Sequence, residues 1–277
     1  MSTEKILYQG DPGSYSYEAM LLYFGENITY ENKDFFSNVF EDISNNKADF
    51  GIVPIENSTT GGIYEVFDLL NIHDNCFIVG EICVEINHNL MATKNTKIEF
   101  IKKVYSHPQA LGQCEDYIRK MQFEAIPARN TASSAKMIME MKDSTCAAIA
   151  SKIAAKFYNL EILNDNINNL SNNITKFIII SNSRIVDKNS NKISLIMITA
   201  HKPGALYEAL GYFAKNNINI LKLESRPIKN TPWNYSFYVD IEGNLNENKI
   251  QNALKELNNS CTKYKILGNY KCDSTLL

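Results

Sequence analysis

The sequence predicts an α/β protein of two domains, and three observations carry that reading. Its 277 residues exceed the ~100–200 typical of one domain. Between residues 5 and 158, short β-type runs alternate with helical patterns, as expected of βαβ units on a largely parallel sheet. Beyond residue 192 the order becomes strand, helix, strand, strand, helix, strand, the βαββαβ arrangement of ferredoxin-like domains.

In the first region, strands are predicted at residues 5–8, 50–54, 76–86, 103–106, 124–126 and 146–150. Helices are predicted at 16–24, 34–46, 109–120, 132–141 and 151–158; Phe36, Val39, Phe40 and Ile43 give the second its helical spacing. Several begin behind a Ser, Thr or Asp suited to cap a helix N-terminus. An apolar strand at 177–180 is followed by a polar stretch to residue 191 with little periodicity and the composition of a linker, which sets the domain boundary there. The second region is predicted as strand 192–200, helix 205–216, strands 218–225 and 235–242, helix 247–258 and strand 264–270.

Hydrophobic residues at 44%, charged residues at 21% and a net charge of -3 describe an ordinary globular protein and exclude a disordered tail or a nucleic-acid binder held by bulk positive charge. The charge is uneven: about -8 up to Ser183 and about +5 beyond it. No run reaches the ~18–20 apolar residues of a membrane span, and Met1 to Leu7 shows no signal-peptide core, so a cytoplasmic protein without membrane partners is expected. The six cysteines, at 76, 83, 114, 146, 261 and 272, form no CxxC or Cys/His metal spacing and read as reduced thiols, with no metal site expected. Lysine outnumbers arginine 24 to 4, a bias that looks like codon usage.

Five polar clusters sit at the ends of predicted strands and helices. Gly10-Asp11-Pro12-Gly13-Ser14-Tyr15-Ser16 reads either as plain turn chemistry or as backbone N–H groups presented to an anion. Glu56-Asn57-Ser58-Thr59-Thr60-Gly61-Gly62 follows an apolar strand and precedes a helix; it combines a proton acceptor, an amide and three hydroxyls at the carboxyl end of a strand, where sites in open α/β sheets gather. In Ser106-His107-Pro108-Gln109-Ala110-Leu111-Gly112-Gln113, Gln109 and Gln113 share one helix face, and His107 is either a general acid or base or a satisfied loop residue. Asn130-Thr131-Ala132-Ser133-Ser134 repeats the hydroxyl-rich helix start. Asn172-Asn173-Ile174-Thr175-Lys176-Phe177 feeds the strand at 177–180 and reads as a simple strand start or as the edge of a cleft.

Together, in this order and spacing, the clusters resemble those of the prephenate dehydratases followed by an ACT regulatory domain, from Ile6 to about Tyr270. The resemblance implies a two-lobed catalytic domain of the type 2 periplasmic-binding-protein kind over residues 1–181. One lobe would hold about 1–75 with 160–181 and the other about 80–158; a linker at 182–191 and an ACT domain at 192–272 follow. It implies Thr175, Asn57, Ser106 and Gln113 as catalytic residues, with Glu56, Thr59, Thr131, Ser133, Lys176 and Phe177 around the substrate. Lys176 stands where the family usually has arginine, which would remove a planar two-pronged carboxylate contact.

The implied activity is the decarboxylating dehydration of prephenate to phenylpyruvate, water and CO2, with no cofactor. In the ACT domain, Gly204-Ala205-Leu206 and Glu224-Ser225-Arg226-Pro227 resemble the family's phenylalanine site, with Tyr207 replacing the usual valine. Feedback by L-phenylalanine and a homodimer or homotetramer through the ACT domains follow from the resemblance. Arogenate dehydratase and a non-catalytic amino-acid sensor are the alternatives.

Overall fold

The computed structural model describes residues 4–185, 187–228, 231 and 233–273. The chain runs β1 (Lys5–Gln9), α1 (Tyr15–Phe24), β2 (Thr29–Lys33), α2 (Phe36–Ser44), β3 (Phe50–Asn57), β4 (Gly61–Gly62), α3 (Tyr64–Ile72), β5 (Phe77–Glu85), β6 (Asn89–Ala92), β7 (Lys103–Ser106), α4 (Pro108–Gln113), α5 (Glu115–Met121) and β8 (Glu124–Pro127). It continues with α6 (Thr131–Met141), β9 (Cys146–Ala150), α7 (Lys152–Phe157), β10 (Glu161–Asn164), β11 (Ile174–Ser181), β12 (Lys192–Thr199), α8 (Ala205–Lys215), β13 (Ile220–Pro227), β14 (Tyr235–Glu242), α9 (Asn248–Ser260) and β15 (Cys261–Tyr270).

The strands form three sheets: β2-β1-β3-β11-β5 with β4 beside β3, then β10-β6-β9-β7-β8, then β13-β14-β12-β15. This is the predicted α/β class, two mixed sheets traversed by one chain and then a βαββαβ unit. The chain changes sheets after β5 and returns after β10, so both crossovers lie later than the expected 75–80 and 158–160. The reason lies in β10, a short strand with polar ends, Glu-Ile-Leu-Asn, whose partner is β6 in the second sheet.

Burial explains which strands were legible. In β9, Ala148 and Ala150 pack against α6 and α7, while Ala147 and Ile149 pack on the other side with Ile118 of α5. A strand covered on both faces reads as one apolar run. By contrast β2, Thr-Tyr-Glu-Asn-Lys, is an edge strand without buried positions and gave no alternation to find. The helix predicted at 109–120 is two helices, because the chain leaves helical geometry at Cys114, which caps both.

By Cα proximity the chain divides into two compact units. One takes the described residues through Val39 with Ile52–Gly61 and Cys83–Phe177; the other takes Phe40–Gly51, Gly62–Ile82 and the described residues from Ile178 on. Within the second unit, Ile193, Leu195, Met197, Val239 and Ile241 point from β12 and β14 toward Phe213 of α8 and Leu257 of α9. The alternate residues point the other way. There Tyr238 packs on Phe67 of α3 with ring centroids 4.7 Å apart, and Lys192 is buried between Glu81 of β5 (2.7 Å) and Asp240 (3.0 Å).

The predicted linker is partly organised by this unit. Asn244 Nδ2 donates to the Asp187 and Ser190 carbonyls, Ser190 Oγ donates to the Asn269 carbonyl, and Gly243 N–H donates to the Asn191 carbonyl. Such bonds occupy the polar side chains without leaving a periodic pattern in the sequence. Among the described residues no helix is long and apolar enough to cross a membrane.

Candidate active site

The site begins where β3 ends and β11 starts. The Ser58 N–H donates to the Ile174 carbonyl at 2.8 Å and the Ile174 N–H to Ser58 Oγ at 2.9 Å, which holds Asn57 beside Thr175. Asn57 is buried, and its amide is fully occupied. Nδ2 donates to Asn173 Oδ1 (2.7 Å), Thr175 Oγ1 (2.9 Å) and the Ile174 carbonyl (3.2 Å). Oδ1 accepts from the Thr59 hydroxyl (2.6 Å) and from the Thr59 and Thr60 N–H groups, both at 3.1 Å. An asparagine that bonds backbone N–H groups two and three residues ahead builds its own turn, so the polar loop after β3 has a shape dictated by Asn57.

Gln113, at the end of α4, extends the network. Its Nε2 donates to Thr59 Oγ1 at 3.0 Å and its Oε1 accepts from Asn173 Nδ2 at 3.1 Å. Behind it, Oε1 also meets His88 Nε2 at 2.9 Å, and His88 Nδ1 meets the Tyr15 hydroxyl at 2.9 Å. Burial lowers the His88 pKa from its ordinary value, with the Gln113 bond opposing, and burial raises that of Tyr15. Both groups are therefore neutral near pH 7. Thr59, Gln113 and Asn173 form one wall of a cavity of about 390 Å³, completed by Thr60, Gly112, Asn168, Asn169 and Leu170. That volume lies within the ~300–1,000 Å³ of small-molecule sites.

Of the predicted residues, Asn57, Thr59, Gln113 and Thr175 thus come together. The others are engaged within their own elements. Ser106 is fully buried and its Oγ donates to the Ile149 carbonyl at 2.6 Å, a tie between β7 and β9, so it is engaged inside the second sheet. Glu56 and Lys176 precede and follow Asn57 and Thr175 in their strands; successive side chains alternate faces, and these two approach each other at 4.0 Å on the face away from the Asn57 amide. Phe177 is core. Ser133 closes a capping box with Asn130, donating to and accepting from its backbone, and Thr131 is the first residue of α6. Helix capping explains that cluster.

The first cluster is a turn under a steric demand. Gly13 has φ +88°, its carbonyl accepts from Ser151 Oγ at 2.8 Å, and a Cβ there would stand 2.8 Å from Ala154 Cα. His107 bonds the Gln109 N–H from Nδ1 as a helix cap. Sequence reasoning passed over Tyr15, His88 and Asn173 as site residues. The available signal was the polar Asn87-His88-Asn89 directly after an apolar strand, in a chain with only four histidines.

In the C-terminal domain, Ala205 and Leu206 line a cavity of about 380 Å³ with Thr199 to Pro203, Asn234, Tyr235 and Phe237. Gly204, at φ +82°, makes the turn into α8. Glu224, Ser225, Arg226 and Pro227 lie on β13 outside that lining. The Arg226 guanidinium is directed at Asp68 (3.2 Å) and lies 4.3 Å from the Tyr64 ring centre, so it bonds α3.

A hydrogen-bonded wall of amides and hydroxyls beside a small-molecule cavity, in a chain that also folds a small βαββαβ domain, is the make-up of a small-molecule enzyme carrying a regulatory module. Residues 6–185 match the prephenate dehydratase family and residues 193–259 the ACT domain. The chain belongs to the prephenate dehydratase family. It is 39% identical over 272 residues to the prephenate dehydratase of Methanocaldococcus jannaschii, covering 96% of this chain and 97% of that one. It is 35% identical over 287 residues to the chloroplastic arogenate dehydratase/prephenate dehydratase 2 of Arabidopsis thaliana, covering 100% and 75%.

Among solved structures, the prephenate dehydratase of Arthrobacter aurescens in complex with L-Phe aligns with a TM-score of 0.89 at 25% identity over 97% of this chain and 90% of that one. GqqA, described as a novel type of quorum-quenching acylase, aligns with a TM-score of 0.89 at 27% identity over 98% of both chains.

Proposed function

We propose that this chain converts prephenate to phenylpyruvate, with Thr175 at the departing hydroxyl. In that reaction the bond from the ring to its carboxylate breaks, its electron pair enters the ring, and the carbon–oxygen bond opposite breaks; a proton on the leaving oxygen completes water, and CO2 departs. The enzyme's tasks are to orient the ring carboxylate and to meet negative charge on the leaving oxygen. The observation that carries the reading is the 2.9 Å bond from Asn57 Nδ2 to Thr175 Oγ1. A donor aimed at Oγ1 stabilises charge there as the Thr175 proton is drawn away, which strengthens an otherwise weak hydroxyl donor. Thr59 holds Asn57 in place, and Gln113 holds Thr59 where both line the cavity.

In this proposal residues 1–181 are catalytic, 182–191 the linker and 192–272 the ACT domain, in a cytoplasmic enzyme. L-phenylalanine is the proposed effector, at the cavity beside Ala205 and Leu206. Homo-oligomerisation through β13 is also proposed: this strand is a sheet edge, and its Leu221 and Leu223 are exposed. The test is phenylpyruvate formation from prephenate at neutral pH, with and without phenylalanine. Inhibition by phenylalanine up to millimolar concentration supports the regulatory part, and its absence removes it. Comparing kcat/KM on prephenate and arogenate decides between the two substrates.

A further inference from the structure

His88 lies in the crossover between β5 and β6 and is 2% exposed. A carbonyl oxygen only accepts, so the 2.9 Å contact with Gln113 Oε1 requires the hydrogen on His88 Nε2. In the neutral ring Nδ1 is then an acceptor, and the Tyr15 O–H is directed at it. The Asn87 carbonyl, also 2.9 Å from that hydroxyl, is its alternative acceptor.

This tautomer has consequences down the chain of bonds. Gln113 Oε1 receives hydrogens from His88 Nε2 and Asn173 Nδ2, so the amide turns its NH2 toward Thr59 Oγ1. Thr59, holding that hydrogen bond as acceptor, directs its own hydrogen to Asn57 Oδ1. Asn57, its oxygen filled, donates from Nδ2 to Thr175 Oγ1. Every bond runs from donor to acceptor in one direction, and the Thr175 hydrogen is left without an acceptor among the described residues. Turning the Gln113 amide over would present an oxygen to Thr59, draw the Thr59 hydrogen away from Asn57 and unset the donor behind Thr175.

We propose that His88 is a positioning residue for the elimination: through its Nε2–H it fixes the Gln113 amide, and so the direction of the hydrogen-bond chain that leaves the Thr175 proton facing the substrate. Tyr15 holds the tautomer. The inference rests on the reading of Thr175 as the group at the leaving oxygen.

Two substitutions separate this role from packing. His88→Gln places an amide N–H near the former Nε2, whereas His88→Asn reaches only to the former Nδ1. With melting temperatures measured alongside, His88→Asn lowers kcat by about 10- to 100-fold with KM within about threefold, and His88→Gln stays within about fivefold of the parent. Adding His88→Asn to Gln113→Ala costs less than about threefold more, because His88 acts through Gln113. Equal kcat for the Asn and Gln variants, or the full His88→Asn loss repeated in the Gln113→Ala background, overturns the proposal alone. A parent enzyme inactive on prephenate overturns the underlying reading together with it.

Discussion

At the residue scale, Asn57 is the organising group. Its amide uses both hydrogens and its oxygen to join the turn after β3, Asn173 at the head of β11 and Thr175, a density of bonds that no neutral solvated loop needs. Asn57, Gln113 and Thr175 were named by the family resemblance and Thr59 by its place in the same loop, and hydrogen bonds join the four. Glu56 and Lys176, expected around the substrate, follow the alternation of a strand and approach each other rather than the Asn57 amide. Lys176 is beside Glu56, and its ammonium has no geometric part in the Asn57 network. Lys176→Arg is accordingly expected to leave KM for prephenate within about twofold, a small change at a half-buried charge beside Glu56; a tenfold fall in KM would put this side chain at the substrate. Tyr15 and His88 went unread because the bond between them joins positions 73 apart, which leaves only the polar Asn87-His88-Asn89 as a local sign.

At the element scale, the legible pieces were those whose burial leaves a pattern: β9 apolar throughout, α2 with its spaced aromatics, and the alternation of β12 and β14. Edge strands β2 and β10 bury too little to mark themselves. Close backbone approaches were equally unreadable. Gly268 in β15 is such a point, where a Cβ would lie 2.0 Å from the Ile78 carbonyl oxygen, a backbone atom that cannot swing aside. Gly268→Ala should therefore destabilise the protein by at least about 2 kcal/mol, in the range of overpacked sites. A denaturant midpoint unchanged from the parent would show that β15 and the chain at Ile78 have room to separate.

At the scale of the whole molecule, the βαββαβ domain is not a bead on a string. Within one compact unit its sheet receives α3 and the start of β5, through Phe67 on Tyr238, Arg226 on Asp68 and the buried Lys192 between Glu81 and Asp240. Burial alone would lower the Lys192 pKa; Asp240 and Glu81 outweigh it and hold the ammonium well above its ordinary value, so it stays charged as long as the protein is folded below that pH. Lys192→Met leaves two carboxylates buried without their cation and is expected to cost about 3–5 kcal/mol, read from chemical denaturation. A loss under about 1 kcal/mol would mean that water reaches the carboxylates. The sequence showed two domains and their order, but lacked any sign of this contact, because the residues that make it are separated by more than 100 positions.

Whether Thr175, backed by Asn57, serves the departure of the hydroxyl from prephenate is read from steady-state turnover of the Thr175→Ala variant. Phenylpyruvate formation by the parent enzyme is expected, with a kcat lower by about 100-fold or more in the variant, on the scale of removing one positioned donor, and an unchanged melting temperature. Turnover near that of the parent would contradict it.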